Sequence, residues 1–302
     1  MAHPLIAIVG PTASGKSALA LRVARDTGGE IVSCDSQQVY RGLDVGTAKA
    51  TRAERDEVRH HLLDVADPDR SFSAAEYARL ARAALDEIRA RDRLPIVAGG
   101  TGLYLRALLE GLFDGPSRDE ETRRRLETLA TRYGDARLHR LLACLDPASA
   151  QRIHPRDRVR IVRAIEVLKV TGRPLSEHHR EKSDPLEGYR TLVVGLEPAR
   201  SVLRGVVEER TRRMLEGGLL EEVRGLLDRG YSPELRPLQS IGYREAVAVL
   251  QGRMSPEEAE TAIVTATMRF AKRQMTWFRH QADVTWHHKA DAAYAAVMDW
   301  LG

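Results

Sequence analysis

The chain has 302 residues, of which 43% are hydrophobic and 30% are charged, and its formal net charge is +4. This composition is typical of a globular protein with room for two domains, and no apolar run approaches the roughly 20 residues that span a bilayer. The mild positive charge permits a polyanionic partner but does not require one. The first apolar run follows Met1 so closely that no signal peptide fits before it, so we expect a cytoplasmic protein with no membrane partner.

The first apolar run, at 5–9, predicts a strand, and the string Gly-Pro-Thr-Ala-Ser-Gly-Lys-Ser at 10–17 follows it directly. This string matches the phosphate-loop pattern G-x-x-x-x-G-K-[ST], and residues 18–24 after it predict a helix. In such a loop, backbone N–H groups converge on an anion at a helix N-terminus. Lys16 supplies a charge for terminal phosphate oxygens, and the Ser17 hydroxyl can coordinate Mg²⁺. The motif predicts a phosphorylated ligand, either a nucleoside triphosphate or another pyrophosphate.

Strand and helix patterns alternate through the first part of the chain. Further strands are predicted at 30–34, 61–65 and 94–98, with a helix over 70–91. Such alternation predicts a parallel sheet covered by helices, with ligands bound beyond the carboxyl ends of the strands.

The middle of the chain, from about 116 to 188, has helical patterns only. Helices are predicted over 119–133, 135–145 and 157–171. The remaining elements are predicted as a strand at 191–196, helices over 203–229, 242–250 and 256–280, an edge strand at 283–286 and a last helix over 290–301. We therefore predict an α/β fold with a phosphate-loop parallel-sheet core, formed by 1–116 and 189–302 with the C-terminal helices, and an all-helical insertion domain of 117–188.

Polar residues follow two of the predicted strands. Asp35 comes directly after the strand at 30–34, where its carboxylate can serve as a metal ligand, a general base or a helix cap. Gly-Gly-Thr-Gly follows the strand at 94–98, where a hydrolysing phosphate-loop enzyme often carries an Asp for Mg²⁺. Thr101 in this string can cap the next helix, contact the phosphates, or do both. Cys34 and Cys144 lack metal-site spacing and are expected to be reduced core thiols.

Two predicted helices carry basic stripes. Arg156, Arg160 and Arg163 share one face, which is either a solvated face or a surface that contacts phosphates. In the later helix, Arg269, Lys272, Arg273 and Arg279 are interleaved with Gln274 and Trp277. That mixture suits a nucleic-acid backbone and an unstacked base, and it equally suits an amphipathic helix with Trp277 in the core.

In their order along the chain, these strings resemble the tRNA dimethylallyltransferase family, also called tRNA isopentenyltransferases. The resemblance covers essentially the whole chain. The strings that carry it lie at 10–17, 35–40, 46–49, 99–104, 163–167, 240–245 and 271–279. Because no zinc-finger extension follows, the chain resembles the compact bacterial form.

The resemblance implies a specific reaction. The family transfers a dimethylallyl group from dimethylallyl diphosphate to the exocyclic amine (N6) of the adenosine 3′-adjacent to the anticodon in tRNA, with release of pyrophosphate. The anticodon stem-loop docks between the core and the helical insertion, and the adenosine flips out into a channel. The implied cofactor is Mg²⁺, and the expected state is a monomer. The alternatives are a small-molecule or nucleotide kinase and a phosphate-loop regulatory protein that binds RNA without catalysis.

The resemblance also implies a role for each matching residue. The catalytic residues are Asp35, as general base or orienter of the amine, with Thr101 and Arg210 on the diphosphate. The diphosphate-binding residues are Gly10, Pro11, Thr12, Ala13, Ser14, Gly15, Lys16 and Ser17, and Ser17 is the metal ligand. The tRNA-binding residues are Ser36, Gln37, Gln38, Arg123, Val159, Arg160, Ile161, Val162, Arg163, Gly242, Tyr243, Arg244, Lys272, Arg273 and Gln274.

Overall fold

The computed structural model describes residues 2–112, 115–116, 119–178 and 184–302. The chain divides into two units, the first made of Met1–Leu109 with Leu186–Gly302 and the second of Glu110–Pro185. The boundaries predicted from the sequence were 116/117 and 188/189, and residue 117 lies outside the described residues. No helix in the described part of the chain is both long and apolar enough to cross a bilayer.

A six-stranded parallel sheet forms the centre of the first unit. Its strands are β1 (His3–Val9), β2 (Glu30–Ser33), β3 (His60–His61), β4 (Pro95–Gly99), β5 (Tyr189–Leu196) and β6 (Thr285–His287). Their order across the sheet is β3-β2-β4-β1-β5-β6, and each neighbouring pair is parallel. The predicted α/β fold is confirmed. Because β4 lies between β1 and β2, the segments that follow these three strands meet at one edge of the sheet.

The sheet is apolar on both faces because helices cover both of them. Along β1, Leu5, Ala7 and Val9 pack into one buried cluster, whereas Ile6 and Ile8 pack into another on the opposite face. Alternate side chains of a strand point to opposite faces, so a continuous apolar run indicates burial on both. This explains why the β1 pattern in the sequence is uninterrupted.

Fourteen α-helices and one 3₁₀ helix lie among the described residues. The α-helices are α1 (Lys16–Thr27), α2 (Arg52–Glu57), α3 (Ala74–Ala90), α4 (Gly102–Glu110), α5 (Glu120–Tyr133), α6 (Asp135–Leu145), α7 (Pro147–Arg152), α8 (Arg158–Thr171), α9 (Leu175–His178), α10 (Arg200–Glu216), α11 (Leu219–Asp228), α12 (Tyr243–Leu250), α13 (Pro256–Gln281) and α14 (Ala290–Leu301), and the 3₁₀ helix is Arg236–Gln239.

Three predicted elements differ from the structure for local reasons. The single helix predicted over 203–229 is two helices, because α10 ends before Gly217 and Gly218 adopts a left-handed φ of 96° before α11. Helix α3 begins at residue 74 rather than 70, because the Ser73 hydroxyl accepts the Glu76 N–H as an N-cap. Strand β3 is shorter than predicted, because Leu62 and Asp64 have positive φ angles of 62° and 57°.

The second unit is helical over its described residues, and its core corrects one expectation. Buried side chains of α5, α6 and α8 form a single cluster, with the α6 residues Leu138 and Leu142 fully buried. Cys144, on the same helix, is exposed, so the prediction of a core thiol is wrong for this residue. It is confirmed for Cys34, which is buried after β2.

A buried carboxylate holds the first residue of β2 in place. Glu30 accepts two hydrogen bonds from the Arg91 guanidinium, at 2.9 and 2.8 Å, and lies 2.7 Å from Nε2 of His61. Burial alone would raise the pKa of Glu30, but the hydrogen bonds and charges of Arg91 and His61 lower it to about 2. The ionised carboxylate therefore stabilises the folded chain at neutral pH.

We predict that Glu30→Gln lowers the free energy of unfolding at pH 7 by up to about 3 kcal/mol, the equivalent of a pKa moved from 4.5 to about 2. This contribution is present above pH 4.5 and is lost as the pH falls through about 2, because the unfolded chain then binds the proton more readily than the native chain. Urea unfolding at several pH values measures it. The exposed Glu57→Gln is the control, and a difference between wild type and Glu30→Gln that is independent of pH would contradict the assignment.

Candidate active site

Two cavities of about 480 and 410 Å³ lie in the first unit. We call the one that contains residues 12–18 the loop cavity, and the one that contains Ser36, Gln37 and Thr101 the second cavity. The residues that line both are Thr12, Asp35, Thr47, Arg210 and Phe270. Because these side chains are shared, the two cavities meet beside Asp35 and Arg210.

The phosphate loop needs glycine at its first position. Gly10 has a φ of 142°, and a Cβ there would lie 2.5 Å from the Leu196 carbonyl oxygen. Six of the eight predicted diphosphate-binding residues, 12–17, line the loop cavity. Pro11 lies behind them, where its carbonyl accepts hydrogen bonds from Lys16 Nζ at 2.6 Å and from the Ser14 N–H at 3.3 Å. Helix α1 begins at Lys16, and its first N–H groups have no acceptor within the helix.

Two polar groups of the phosphate loop would be stabilised by a bound anion. Burial lowers the pKa of Lys16 to about 8, an effect that Asp35 opposes and that the neighbouring Arg210 charge reinforces. The Ser14 hydroxyl is buried with no hydrogen-bond partner among the described residues. A phosphate oxygen in this cavity would satisfy Ser14 and would raise the pKa of Lys16 again.

Asp35 follows β2 and faces both cavities. Its Oδ1 accepts the N–H groups of Gln37, at 2.8 Å, and Gln38, at 3.4 Å. The local cap that the sequence allowed is therefore formed by one carboxylate oxygen. No donor within the described residues reaches Oδ2, which leaves that oxygen for a ligand.

The residues after Asp35 divide into engaged and available groups. The Gln38 amide is engaged, because its Oε1 accepts from the Ser33 hydroxyl at 2.9 Å and its Nε2 donates to the Thr47 carbonyl at 3.3 Å. This contradicts the expectation that the Gln38 side chain reads a base. Gln37 Oε1, in contrast, is buried without a partner among the described residues and belongs to a side chain of the second cavity.

Thr101 lines the second cavity and is not among the residues that line the loop cavity, so its contact with the diphosphate stays a prediction. Its Oγ1 accepts the Ser36 N–H at 3.0 Å. Arg210 lines both cavities, and its Nη1 donates to Thr12 Oγ1 and its Nη2 to the Thr47 carbonyl, both at 3.4 Å. Burial lowers the pKa of Arg210, and the Asp35 charge raises it.

One of the predicted tRNA-binding residues of α12 is buried. Tyr243 is 1% exposed and donates its hydroxyl to Glu222 Oε1 at 2.6 Å. Glu222 also accepts the N–H groups of Asp44 and Val45, at 2.9 and 2.7 Å, so the pair supports the loop that forms one wall of the second cavity. Sequence reasoning missed Glu222, which had no motif around it. Gly242 lies at the N-terminus of α12, and Arg244 lines the second cavity.

Helix α13 carries the other predicted contacts. Lys272 and Arg273 are exposed, and Arg273 lines the second cavity. Gln274 is buried, and its amide bonds to the Thr12 N–H and the Gly100 carbonyl. Its burial contradicts the expectation of a side-chain contact with tRNA. Trp277 packs on Gly102, where a Cβ would lie 2.0 Å from the indole ring.

In the second unit, some of the predicted tRNA-binding residues are buried and others are exposed. Arg123 makes a two-pronged ion pair with the buried Glu166, at 2.6 and 2.9 Å, and Arg163 donates to the same carboxylate at 2.7 Å. The side chains of Ile161 and Val162 form the core of this unit, which contradicts the expectation that they contact tRNA. The exposed members of the predicted stretch are Val159 and Arg160.

A parallel sheet with a phosphate loop after its central strand β1 defines a P-loop α/β protein. Residues 38–281 match the family described as IPP transferase. The chain is 47% identical over 287 residues to the tRNA dimethylallyltransferase of Koribacter versatilis, an alignment that covers 95% of this chain and 93% of the relative. It is 49% identical over 300 residues to that of Geobacter metallireducens, covering 97% and 96%. The chain belongs to the IPP transferase family, which confirms the resemblance seen in the sequence.

Solved structures agree with this assignment. The full-length tRNA isopentenylpyrophosphate transferase of Bacillus halodurans matches with a TM-score of 0.71 and 40% identity, over 99% of this chain and 95% of that one. A eukaryotic dimethylallyltransferase acting on tRNA matches with a TM-score of 0.81 and 25% identity, over 99% and 79%.

We predict that the affinity for inorganic pyrophosphate falls as the pH rises through about 8, because Lys16 then loses its proton in the free protein. Well above that pH the loss approaches about tenfold per pH unit. Titration calorimetry at a fixed Mg²⁺ concentration measures it. Lys16→Met is expected to bind weakly with no such pH dependence, and an identical pH profile in this variant would remove Lys16 from the anion site.

Proposed function

We propose that this protein transfers a dimethylallyl group from dimethylallyl diphosphate to N6 of the adenosine 3′-adjacent to the anticodon in tRNA, releasing pyrophosphate. The observation that carries the proposal is the junction of two cavities beside Asp35 and Arg210. A transfer between two substrates needs one site for the donor and one for the acceptor, with a shared opening where the bond forms. The relatives named tRNA dimethylallyltransferase support the same reaction.

The loop cavity suits a prenyl diphosphate because its lining has a cationic and an apolar part. The loop N–H groups, Lys16 and Arg210 supply the donors for a diphosphate. Apolar side chains of α10 and α13 line the same cavity, namely Val202, Leu203, Val206 and Phe270. A short branched hydrocarbon would remove these side chains from water, which favours a prenyl group over a polar substituent.

The second cavity suits a nucleobase that has left its stack. Gln37 Oε1 is a buried acceptor without a partner, and an exocyclic amine or a ring N–H of a base would satisfy it. Asp35 lies at the opening toward the loop cavity, where the amine would meet the allylic carbon. The exocyclic amine of an extruded adenosine carries two N–H groups, one for Gln37 Oε1 and one for the Asp35 carboxylate.

The reaction forms one C–N bond and breaks one C–O bond. The amine nitrogen attacks the first carbon of the dimethylallyl group, and the electron pair of the C–O bond leaves with the pyrophosphate. Asp35 Oδ2 takes the proton that the amine loses, since Oδ1 is occupied by backbone N–H groups. Lys16, Arg210 and the loop N–H groups stabilise the charge that develops on the departing oxygens.

The residues present fit Mg²⁺ as the cofactor. Ser17 is exposed and lines the loop cavity, and no group of three or more metal-binding side chains is found among the described residues. In a phosphate loop, the Ser or Thr hydroxyl would hold Mg²⁺ together with substrate phosphate oxygens and water. When bound, it supplies positive charge that neutralises the diphosphate.

For tRNA, the support comes from exposed basic side chains. Lys272 and Arg273 on α13, and Arg160 on α8, are exposed and available to phosphates. We propose that α13 and the helical unit both contact the anticodon stem-loop. A tRNA substrate implies action in the cytoplasm, and we propose that a monomer carries out the reaction.

We predict that Asp35→Asn lowers the transfer rate by at least about a hundredfold, because the amide cannot accept the amine proton. Protein, labelled dimethylallyl diphosphate and unmodified tRNA are incubated, and label in the tRNA is counted. A parallel reaction with labelled ATP and no prenyl donor tests for a kinase.

Binding measurements complete this test. Affinities for tRNA and for pyrophosphate are expected to stay within about threefold of wild type, since the amide keeps one oxygen to accept the N–H bonds. Normal turnover by Asp35→Asn would exclude Asp35 as the base. Transfer of phosphate from ATP with no prenyl transfer would favour the kinase instead.

We predict that Arg273→Ala weakens binding of an anticodon stem-loop and reduces the slope of log K against log salt by about one, the value for one lost phosphate contact. Filter binding across a salt series measures the slope. Lys289→Ala removes an exposed charge at the start of α14 and is the matched control, with an unchanged slope expected. Equal slopes for wild type and Arg273→Ala would assign Arg273 to a solvated face.

A further inference from the structure

We propose that Gln274 is a positioning residue for the reaction, whose buried amide fixes the phosphate loop through Thr12. The inference rests on the proposed function and deepens it, because it assigns to α13 a role inside the donor site in addition to a surface for tRNA. Gln274 also lines the loop cavity, but both ends of its amide are engaged by backbone groups, so it acts on the diphosphate through Thr12.

The contacts of the amide carry the proposal. Gln274 is 8% exposed, its Oε1 accepts the Thr12 N–H at 2.9 Å, and its Nε2 donates to the Gly100 carbonyl at 2.8 Å. One planar group thus joins three segments that are distant in sequence, namely α13, the phosphate loop and the turn after β4. Both contacts have the geometry of good hydrogen bonds.

The glycines after β4 allow side chains of α13 to pack closely against the backbone. A Cβ on Gly100 would lie 2.2 Å from Gln274 Nε2, and a Cβ on Gly102 would lie 2.0 Å from the Trp277 ring. Gln274 and Trp277 are three residues apart and therefore share a helix face. Helix α13 thus packs on this turn at two neighbouring points, and a side chain at either Gly100 or Gly102 would displace the helix.

The Gln274 amide affects the region where the loop cavity and the second cavity meet. Thr12 lines both cavities, and its Oγ1 accepts a hydrogen bond from Arg210 Nη1 at 3.4 Å. Because Gln274 holds the Thr12 N–H, that group does not swing toward the diphosphate, and the Thr12 hydroxyl stays beside Arg210. A shift of Gln274 would therefore move both a wall of the loop cavity and a cation of the leaving-group site.

Glutamine is required by this geometry, because the site needs one acceptor and one donor on a group of fixed length. Methionine has a similar length but neither function. Glutamate keeps an acceptor for Thr12, but when ionised it loses the donor to Gly100 and places a negative charge near the diphosphate.

The first test is Gln274→Met, studied in the full-length protein. We expect the affinity for inorganic pyrophosphate to fall by about tenfold and the KM for dimethylallyl diphosphate to rise with it, since two hydrogen bonds are lost. Affinity for an anticodon stem-loop should stay within about twofold, because the side chain is buried. Gln281→Leu, an exposed glutamine at the end of α13, is the matched control and should change neither affinity.

The second variant, Gln274→Glu, keeps the test valid even where Gln274→Met folds poorly. At each pH, the pyrophosphate affinity of this variant is divided by that of the wild type. This ratio should be lowest near neutral pH and should rise toward one as the pH falls. The reason is that a protonated carboxyl both accepts and donates, as the amide does. A residue that only stabilised the fold would give no such recovery.

Two results would overturn the inference: a tRNA affinity that falls while pyrophosphate affinity is kept, or a Gln274→Glu ratio that is independent of pH. The first would make Gln274 the tRNA contact that the sequence predicted. Pyrophosphate binding is measured without the transfer reaction, so a wild-type protein that binds pyrophosphate but does not prenylate tRNA would refute the proposed function alone.

Discussion

The site depends on two cations held close to one carboxylate at the carboxyl edge of a parallel sheet. Burial lowers the pKa of both Lys16 and Arg210, and the charge of Asp35 opposes that shift in each. The site therefore holds two partly desolvated cations, and a bound diphosphate would stabilise the charged form of both. The same carboxylate lies where a second substrate would present a proton, so one electrostatic arrangement serves donor and acceptor.

Close packing explains why these groups meet. The strand order places β4 between β1 and β2, so the turn after β4 lies between the phosphate loop and Asp35. A Cβ on Gly99 would lie 2.0 Å from the Cys34 carbonyl oxygen, and Gly100 and Gly102 are as tightly covered by α13. Small residues at this turn allow a C-terminal helix to reach into a site built by the N-terminal strands. An Asp in place of Gly99, Gly100 or Gly102 would collide with the Cys34 carbonyl or with side chains of α13.

Much of this arrangement was predictable, because its signals are local. The phosphate loop is a contiguous motif, and the buried strand β1 has an unbroken apolar run. The contributions of Gln274 and Glu222 were not predictable, because helical periodicity assigns a residue to a face but not to the group opposite it. Gln274 directly follows Lys272 and Arg273 and was predicted to contact tRNA, whereas its partners are backbone groups more than 170 residues away. The burial of Ile161 likewise depends on which helices pack together.

The most direct test of this account is a crystal structure of the protein with an unreactive thio-analogue of dimethylallyl diphosphate. The account predicts that the diphosphate lies in the loop cavity within hydrogen-bond distance of Lys16 Nζ and the first N–H groups of α1, with the first allylic carbon at the opening beside Asp35. A diphosphate bound elsewhere, or an allylic carbon turned away from Asp35 and the second cavity, would contradict it.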